Sequence, residues 1–336
     1  MKHKFSIAIK PYYGKLFLNN SLFRIGSGDN YFFNMDKILS KKGIKIETID
    51  KFNDRNTDVY LFCDIPYPWE LDNWLTLLKH KKQSVLMTFE SPLVNPFSHM
   101  KTLQRLFSRV YTWDSNITSG NKINKFLIPQ MENGINTEII PFSKRKFLTF
   151  INSNKKVPFI FKMLSGRPDL YKERIKSIKY FQINHKDKFD FYGKGWKKSN
   201  NLFTDQTGMP LCYKGEPEDK FTILSQYKYC LCFENTIAPG YVTEKIFDCM
   251  KAGAVPIYWG APNIEKFIPK SCFIDKRNYK SYEELYSYLS SISQKEFDSY
   301  MTAISKFLKS EFKNVWSQES FVNTLLSLSK IQTGKV

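Results

Sequence analysis

Short apolar runs of strand-like composition alternate with stretches of helical spacing along most of this chain, and the alternation starts twice. In the first 140 residues it predicts strands over 5–9, 44–49, 59–63, 85–89 and 110–113, and helices over 31–42 and 69–81. Strands that alternate with helices favour a mostly parallel sheet with helices on both faces. The first part of the chain is therefore predicted to be a doubly wound, Rossmann-like α/β domain.

A stretch rich in Pro, Asn and Gly, 129–146, interrupts this rhythm and predicts a hinge, with Asn133-Gly134 as a turn. Beyond it the pattern predicts strands over 147–151, 189–192, 229–233 and 255–259, and helices over 170–183, 219–227, 242–252, 284–289 and 296–330. We expect three regions: domains 1–140 and 141–316, and a C-terminal helix and tail, 317–336, that crosses back to the first domain. Two such halves predict a ligand cleft between the carboxyl ends of their sheets.

Positive charge is concentrated in the middle of the chain. Of the net charge of +19, the stretch from Pro141 to Lys214 contributes +12, with 17 Lys or Arg residues against 5 Asp or Glu residues. Such a stretch suits a nucleoside diphosphate, an anionic membrane surface or a nucleic acid, and a solvated lysine-rich face is the alternative without a ligand. The sequence has no recognisable helix-turn-helix, RNA-binding aromatic signature or zinc framework, so a nucleic-acid-binding protein is the remote alternative.

The cysteines and histidines give no metal-binding pattern. Six cysteines include no C-x-x-C pair and four histidines are scattered singly, so we expect reduced thiols and no metal centre. Cys230 and Cys232, two residues apart in a strand, are expected to pack on one face of the sheet. No apolar run approaches bilayer-spanning length and no signal-peptide region develops. We expect a cytoplasmic protein with peripheral contact at the inner face of an anionic membrane.

One segment, 232–260, carries most of the chemistry that the sequence indicates. A strand ends at Glu234-Asn235, a Pro-Gly turn follows, and Thr243-Glu244-Lys245 begins a helix that ends before Gly253. The first turn of a helix attracts anions through its N–H groups and dipole, and Lys245 adds a full charge. Glu244 is a candidate partner for ribose hydroxyls. The alternative is an ordinary capped helix, since Thr243 and Glu244 are favourable there without any ligand.

Two other nucleotide-binding patterns are incomplete or absent. Gly193-Lys194-Gly195 follows a predicted strand, but Lys198 stands where the dinucleotide fingerprint needs a third glycine, and Gly26-Ser27-Gly28 fails likewise at Tyr31. A nicotinamide enzyme is therefore not predicted. No Asp-x-Asp motif is present, so we expect positive side chains and helix N–H groups to neutralise a diphosphate. No cofactor should be required, although divalent cations could stimulate.

The segment resembles a known donor site. Phe233-Glu-Asn, Gly240-Tyr-Val-Thr-Glu-Lys-Ile, Val255-Pro-Ile-Tyr-Trp-Gly and Phe267-Ile-Pro closely resemble the donor-site signature of the family 10 α-1,3/4-fucosyltransferases. The resemblance is clearest over 147–275 and weaker over 86–134. It implies a GT-B type fold and an inverting, metal-independent transfer of L-fucose from GDP-β-L-fucose to a glycan hydroxyl. It places around the donor Asn235, Tyr241, Val242, Thr243, Glu244 and Lys245.

The resemblance extends to the preceding strand and helix. The run 146–154 resembles the family's strand that ends in Ser-Asn, which adds Asn154 to the donor site. The family's next helix begins with a phosphate-binding arginine, and Arg174 fits that role because a guanidinium offers forked donors to a pyrophosphate. Arg167 is its rival, since the insertion between Asn154 and Leu170 is longer and more basic than in compact bacterial members. A surface charge on an amphipathic helix is the alternative without a ligand.

A single carboxylate is the candidate base. Glu90, in Met87-Thr-Phe-Glu-Ser-Pro, follows an apolar strand and matches the family's proposed general base in a run resembling Glu-Ser-Pro then Asn-Pro. It would take the proton of the acceptor hydroxyl. The alternative is a turn carboxylate before Ser91-Pro92.

The sequence predicts the acceptor only by class. We expect an oligosaccharide that contains N-acetylglucosamine or glucose, borne by lipopolysaccharide or protein, with the linkage open. The alternative hypothesis is an enzyme with the same fold and the same GDP site that uses a different GDP-sugar as donor. Aromatic side chains that could stack on sugars, with core packing as the alternative, are Tyr12, Tyr13, Tyr31, Trp69 and Trp113.

Overall fold

The computed structural model describes residues 4–11, 17–24, 30–52, 57–117, 120, 122–130, 140–197 and 202–332. Its strands are β1 (Phe5–Lys10), β2 (Ile44–Thr48), β3 (Val59–Cys63), β4 (Ser84–Met87), β5 (Arg109–Thr112), β6 (Ile123–Lys125), β7 (Lys146–Ile151), β8 (Phe189–Tyr192), β9 (Tyr227–Phe233), β10 (Val255–Trp259) and β11 (Ile274–Asp275). The described residues do not include Tyr12, Tyr13, Gly26-Ser27-Gly28, Asn133-Gly134, Lys198 and the 131–139 part of the predicted hinge.

The helices follow the same order. They are α1 (Met35–Ser40), α2 (Leu71–Lys79), α3 (Lys101–Gln104), α4 (Phe159–Ser165), α5 (Tyr171–Asn184), α6 (Lys220–Ser225), α7 (Glu244–Lys251), α8 (Tyr282–Ser291), α9 (Gln294–Lys309), α10 (Glu311–Val315) and α11 (Gln318–Gln332). Within the described ranges, none combines the length and the apolar character that crossing a membrane requires.

The chain divides into two compact units. The first consists of the described residues within Met1–Glu132, Phe159–Gly166 and Lys313–Val336, and the second of those within Asn133–Pro158 and Arg167–Phe312. The first unit therefore recruits α4 from the middle of the chain and α11 from its end. Each unit contains one parallel sheet, so the predicted α/β class with two Rossmann-like sheets is confirmed.

The sheet of the first unit has six parallel strands in the order β2-β1-β3-β4-β5-β6. β3 and β4 are buried at every position, as expected for central strands of a sheet covered on both faces. Tyr60 and Phe62 of β3 pack with Leu77 of α2 and Phe107 in this core. Since β2 lies on one side of β1 and β3 on the other, the strand order reverses between β1 and β3, where ligands of such sheets bind.

The sheet of the second unit has five parallel strands in the order β11-β10-β9-β7-β8. Helix α5 buries Ile178 and Phe181 against a core that includes Phe150, Leu231 and Ile257. Here β8 lies on one side of β7 and β9 on the other. The order reverses between β7 and β9, so the residues that follow these two strands are the candidates for ligand contacts.

The C-terminal helix packs against the aromatic core of the first unit. Nε2 of Gln318 donates hydrogen bonds to the carbonyl oxygens of Tyr31 and Phe33, both at 2.9 Å. The ring of Phe321 meets those of Tyr31 and Phe32 edge-on, at centroid distances of 5.7 and 5.4 Å. The predicted return of this helix is thus observed. Tyr31 and Trp113 are buried, as core packing requires, whereas Trp69 is 68% exposed.

Several elements differ from the predicted ones. The helix predicted over 31–42 spans only Met35–Ser40, because Asn34 takes a left-handed conformation with φ of 55° just before it. The helical stretch predicted over 296–330 is divided among α9, α10 and α11, and α11 begins at Gln318, next to the predicted start of the C-terminal helix at 317. Helix α4 was not predicted, since its run Phe-Ile-Phe-Lys-Met-Leu-Ser has no polar face to set a helical period. The strands β6 and β11 are too short to leave a pattern.

Candidate functional site

Polar side chains follow β9 at the point where the strand order reverses. The carboxylate of Glu234 is fully buried and accepts two hydrogen bonds from Thr243, one from its N–H to Oε1 and one from its hydroxyl to Oε2, both at 2.8 Å. Burial raises the pKa of Glu234. The ammonium of Lys245 lies 3.3 Å from Oε2 and supplies the opposite charge that a buried carboxylate needs. Glu234 thus anchors the loop that precedes α7.

Lys245 stands at the start of α7 within a ring of oxygens. Its Nζ donates to Oγ1 of Thr243 at 2.9 Å and to Oε1 of Glu244 at 3.1 Å. Burial alone would lower the pKa of Lys245, but Glu234 and Glu244 outweigh it and raise that pKa. Burial would likewise raise the pKa of Glu244, but the Lys245 charge lowers it. The site therefore holds fixed charges of both signs at neutral pH.

The start of α7 is not an ordinary capped terminus. Thr243 occupies the capping position in an extended conformation, but its side chain makes no capping hydrogen bond. Its hydroxyl is engaged with Glu234 and Lys245 instead. An eight-residue helix that begins with Glu244, and whose capping hydroxyl is used elsewhere, retains the dipole and the cation that attract an anion.

Arg174 joins the ends of the two central strands. Its guanidinium is 2% exposed and donates to Oδ1 of Asn152 at 2.9 Å, to the carbonyl of Phe233 at 2.7 Å and to Oδ1 of Asn235 at 3.0 Å. The ring of Tyr171 lies 4.4 Å from it. Burial lowers the pKa of Arg174. Its rival Arg167 lies in the partly exposed loop before α5.

Asn154 follows β7 and meets the glycine turn after β8. Its N–H donates to the carbonyl of Lys194 at 2.9 Å and its Nδ2 to that of Gly195 at 3.1 Å. Gly193 has φ of 134°, and a Cβ there would lie 2.0 Å from the carbonyl oxygen of Asn152. Glycine is therefore required at 193 for this close approach. The Asn154 side chain remains partly exposed at the strand ends.

Tyr241 and Val242 support the loop from inside the core. Both are almost completely buried, and Oη of Tyr241 accepts from Nδ2 of Asn235 at 3.3 Å. A Cβ at Gly260 would lie 2.4 Å from Cγ of Glu234 and 2.5 Å from Oη of Tyr258. The end of β10 can thus approach the buried carboxylate only because residue 260 is glycine.

The second candidate site is in the first unit, where Asp64 holds the backbone around Glu90. Oδ1 of Asp64 accepts from the N–H of Phe89 and Oδ2 from the N–H of Glu90, both at 3.0 Å. Nε2 of His99 donates to the Glu90 carbonyl oxygen at 2.9 Å. Burial, with the Glu90 charge second, raises the pKa of Asp64 to about 7. The backbone of Glu90 is thus fixed on two sides.

A cavity of about 1050 Å³ lies beside Glu90, at the carboxyl ends of β1 and β2. Tyr67 and Trp69 line it with stacked rings, their centroids 4.8 Å apart. Lys10 and Glu70 line it as an ion pair at 3.4 Å. Flat aromatic faces beside charged groups that can accept and donate hydrogen bonds suit a sugar.

Sequence reasoning missed three residues that organise these sites. Glu234 was identified as a strand end and as part of the Phe233-Glu-Asn motif, without a role of its own, and Asn152 and Asp64 were not singled out. Each follows directly after a buried strand, which is the signal that could have found them. What the sequence did not reveal is that Asp64, with φ of 64°, turns back to accept two backbone N–H groups.

Three cysteines form a cluster behind the donor loop. The sulfurs of Cys230, Cys232 and Cys249 lie within 4.8 Å of one another and all three residues are buried. Sγ of Cys232 also contacts the carbonyl oxygen of Lys245 at 3.3 Å. Such a set could hold a soft metal ion, but small apolar packing between β9 and α7 explains it equally well. The prediction that no metal is needed stays a prediction.

Short segments of this chain are similar to known fucosyltransferases. Alpha-(1,3)-fucosyltransferase FucT of Helicobacter pylori is 48% identical over 73 residues, which are 21% of this chain and 15% of that protein. Alpha-(1,4)-fucosyltransferase of Arabidopsis thaliana is 44% identical over 66 residues, which are 20% of this chain and 16% of that protein. The matched segments are thus a small part of these relatives' length.

Solved structures match the fold over nearly the whole chain. An alpha1,3-fucosyltransferase structure with GDP-fucose has a TM-score of 0.56 at 16% identity and covers 98% of this chain and 90% of its own. A glycosyltransferase from Rickettsia africae ESF-5 has a TM-score of 0.59 at 10% identity, with coverage of 99% and 100%. The model of Glycosyltransferase family 10 (fucosyltransferase) C-term matches residues 154–326, more than half of the chain. The chain belongs to glycosyltransferase family 10.

Proposed function

We propose that this protein transfers L-fucose from GDP-β-L-fucose to a hydroxyl of a glycan acceptor and inverts the configuration at the anomeric carbon. The observation that carries the proposal is the arrangement at the start of α7. There Lys245 and the helix dipole provide positive potential at the reversal of strand order, and Glu244 stands beside them. Membership of family 10 supports fucose as the donor sugar.

The proposed reaction is a direct displacement. The Glu90 carboxylate takes the proton of the acceptor hydroxyl as its oxygen bonds to the anomeric carbon of fucose. The bond from that carbon to the β-phosphate oxygen breaks, and its electron pair leaves with GDP. Lys245 and Arg174 stabilise the negative charge that develops on the diphosphate. The products are an α-fucoside and GDP.

The donor site is proposed to work without a metal ion. Two cations and a helix start supply positive potential, and the chain has no Asp-x-Asp motif. Glu234 and Glu244 neutralise much of this charge before the donor binds, since both carboxylates contact Lys245. A diphosphate would shift Lys245 toward the phosphates. Asn235 and Asn154 are proposed to contact the donor through their partly exposed amides.

The proposal is tested by transfer of labelled fucose from GDP-fucose to a panel of oligosaccharides containing N-acetylglucosamine or glucose. Transfer should persist with chelator present and fall at least about a hundredfold in Glu90→Gln. GDP-mannose, assayed in parallel, tests the alternative that the same GDP site takes another sugar. Binding of GDP without transfer or hydrolysis of any GDP-sugar would contradict the proposed reaction.

The place of action is proposed from charge. A net charge of +19 favours contact with an anionic surface, and we place the protein in the cytoplasm, at the inner face of a membrane that presents lipid-linked glycans. Lipopolysaccharide precursors are the acceptors that this location favours, and glycoproteins are the alternative. Recovery of the protein with membranes at low salt, and its release at high salt, tests this placement.

A further inference from the structure

Large exposed apolar side chains are concentrated in two segments of the first unit. They are Trp69, Leu71, Leu75 and Leu78 at α2, and Phe159, Ile160, Met163 and Leu164 on α4, each at least 43% exposed. We name these eight residues the apolar surface. The other large apolar side chains exposed among the described residues, Ile183, Phe203 and Val315, are scattered. Exposed apolar side chains concentrated in one region mark an interaction site, whereas single scattered ones are ordinary.

Each half of the apolar surface is one face of a helix. Leu71, Leu75 and Leu78 are spaced as i, i+4 and i+7 on α2. Phe159 and Met163 are spaced as i and i+4 on α4, as are Ile160 and Leu164. These faces point away from the core. The buried residue of α2 is Leu77, which is not one of the eight, and α4 has no buried residue.

Tyr67 joins the two halves. Its ring stacks on that of Trp69 at 4.8 Å and lies parallel to that of Phe161 of α4 at 6.1 Å. The ring of Phe161 also meets that of Phe97 edge-on at 5.9 Å. α4 is therefore packed beside the turn that leads into α2, and the two apolar faces belong to one region of the first unit.

Lysines are present at both helices of this region. Lys79, Lys81 and Lys82 are exposed at the end of α2, and Lys162 is half-buried on α4. Asp72 is the exposed acid at the beginning of α2. Trp, Phe and Leu side chains bordered by Lys are the composition of helices that lie in the plane of an anionic membrane, where long basic side chains reach the headgroups.

We propose that the apolar surface rests on an anionic lipid bilayer, with its side chains at the level of the headgroups and the lysines of α2 and α4 and those just after α2 on phosphate groups. A second copy of the chain is the less favourable occupant, because both sides of a twofold contact would carry the same excess of lysine. Anionic headgroups provide the complementary charge.

The position of this surface has a consequence for the substrate, which rests on the proposed function. Trp69 and Leu71 belong both to the apolar surface and to the lining of the cavity beside Glu90. A protein seated this way would open its acceptor cavity toward the membrane. The acceptor class that fits is a glycan carried on a membrane lipid.

Vesicle flotation of the full chain tests the proposal. Vesicles of phosphatidylcholine alone are compared with vesicles in which about one-third is phosphatidylglycerol, at low and high salt. The double variants Leu75→Ser with Leu78→Ser, and Phe159→Ser with Met163→Ser, lie outside the cavity lining. The matched control is Ile183→Ser with Phe203→Ser, which removes exposed apolar side chains of the second unit.

Wild type and control should float with the anionic vesicles, weakly with the neutral ones, and each surface variant should bind the anionic vesicles at least roughly tenfold more weakly. Fucose transfer to a water-soluble acceptor should be equal in all four proteins. If only the proposed function is wrong, no protein transfers fucose, while the differences in vesicle binding remain. The proposal is overturned if wild type ignores anionic vesicles, if the surface variants bind like the control, or if they only dissociate a dimer seen by sedimentation equilibrium without lipid.

Discussion

Nη2 of Arg174 donates a hydrogen bond to Oδ1 of Asn235 at 3.0 Å, while the same nitrogen donates to the carbonyl of Phe233 at 2.7 Å. One guanidinium on α5 therefore fixes both the last residue of β9 and the amide that follows Glu234. A second nitrogen reaches Asn152 after β7. The two strands that border the candidate donor site are tied to one buried cation, so the site's shape depends on Arg174 as well as its charge.

The two candidate arginines should respond differently to removal. Arg174→Ala leaves three acceptors without their donor, so we expect it to lower the free energy of unfolding by about 3 kcal/mol and to weaken GDP binding about a hundredfold. Arg167→Ala should change neither by much. Urea denaturation and calorimetric GDP titration check both. Normal GDP affinity in folded Arg174→Ala, together with weak binding in Arg167→Ala, would reverse the assignment.

Gly260 is expected to tolerate no side chain. In Gly260→Ala the new Cβ meets Cγ of Glu234 at 2.4 Å, and neither β10 nor the buried carboxylate can move freely. The variant should lose roughly 2 kcal/mol or more of unfolding free energy. Gly120→Ala is the control, because nothing lies within 4 Å of a Cβ there. Equal stability of the two variants in thermal denaturation would contradict the packing described around Glu234.

Asp64 should make stability depend on pH. Its pKa rises from 3.8 in the unfolded chain to about 7 in the fold, so the folded protein holds a proton that the unfolded chain has released. The contribution of Asp64 to the free energy of unfolding therefore falls as pH rises from about 4 to about 7, by about 4 kcal/mol in all. Asp64→Asn should remove this slope, whereas Asp298→Asn, at an exposed site, should keep it. Identical slopes for wild type and Asp64→Asn would refute the raised pKa.

Much of the fold follows from local pattern. Val59–Cys63, Phe189–Tyr192 and Val255–Trp259 are strands at the predicted positions. The first and third are continuous apolar runs, as buried parallel strands are, and the second is mostly aromatic. The predicted start of a helix at Thr243-Glu244-Lys245 is confirmed. The recruitment of α4 by the first unit could not be predicted, since it depends on ring contacts between Phe161 and the distant Tyr67 and Phe97.

The candidate site was predictable in its residues more than in its contacts. The motif around 233–245 identified Asn235, Glu244 and Lys245. A sequence motif does not show which oxygen atoms the Lys245 ammonium contacts. The Glu234 carboxylate had no assigned partner in the sequence, and its pairing with Thr243 and Lys245 depends on the turn of the loop back onto β9. The burial of Arg174 likewise depends on packing.

Glu90 should matter for transfer and not for donor binding. Glu90→Gln keeps the backbone N–H that Asp64 accepts and removes only the base, so transfer should fall about a hundredfold to ten-thousandfold. Its affinity for GDP should equal that of wild type. Steady-state transfer kinetics with a saturating donor measure the effect, and a loss of less than about threefold would exclude Glu90 as the base.

In the proposed function, the start of α7 binds the diphosphate of GDP-fucose through Lys245 without a metal ion. The most direct test is calorimetric titration of GDP-fucose and GDP-mannose, with chelator throughout, into wild type, Lys245→Ala and the exposed-site control Lys266→Ala. We expect GDP-fucose to bind more tightly than GDP-mannose. This binding should be retained in Lys266→Ala and weakened about a hundredfold in Lys245→Ala, with circular dichroism showing that variant to be folded. No binding of either nucleotide sugar, or undiminished binding to Lys245→Ala, would contradict this proposal.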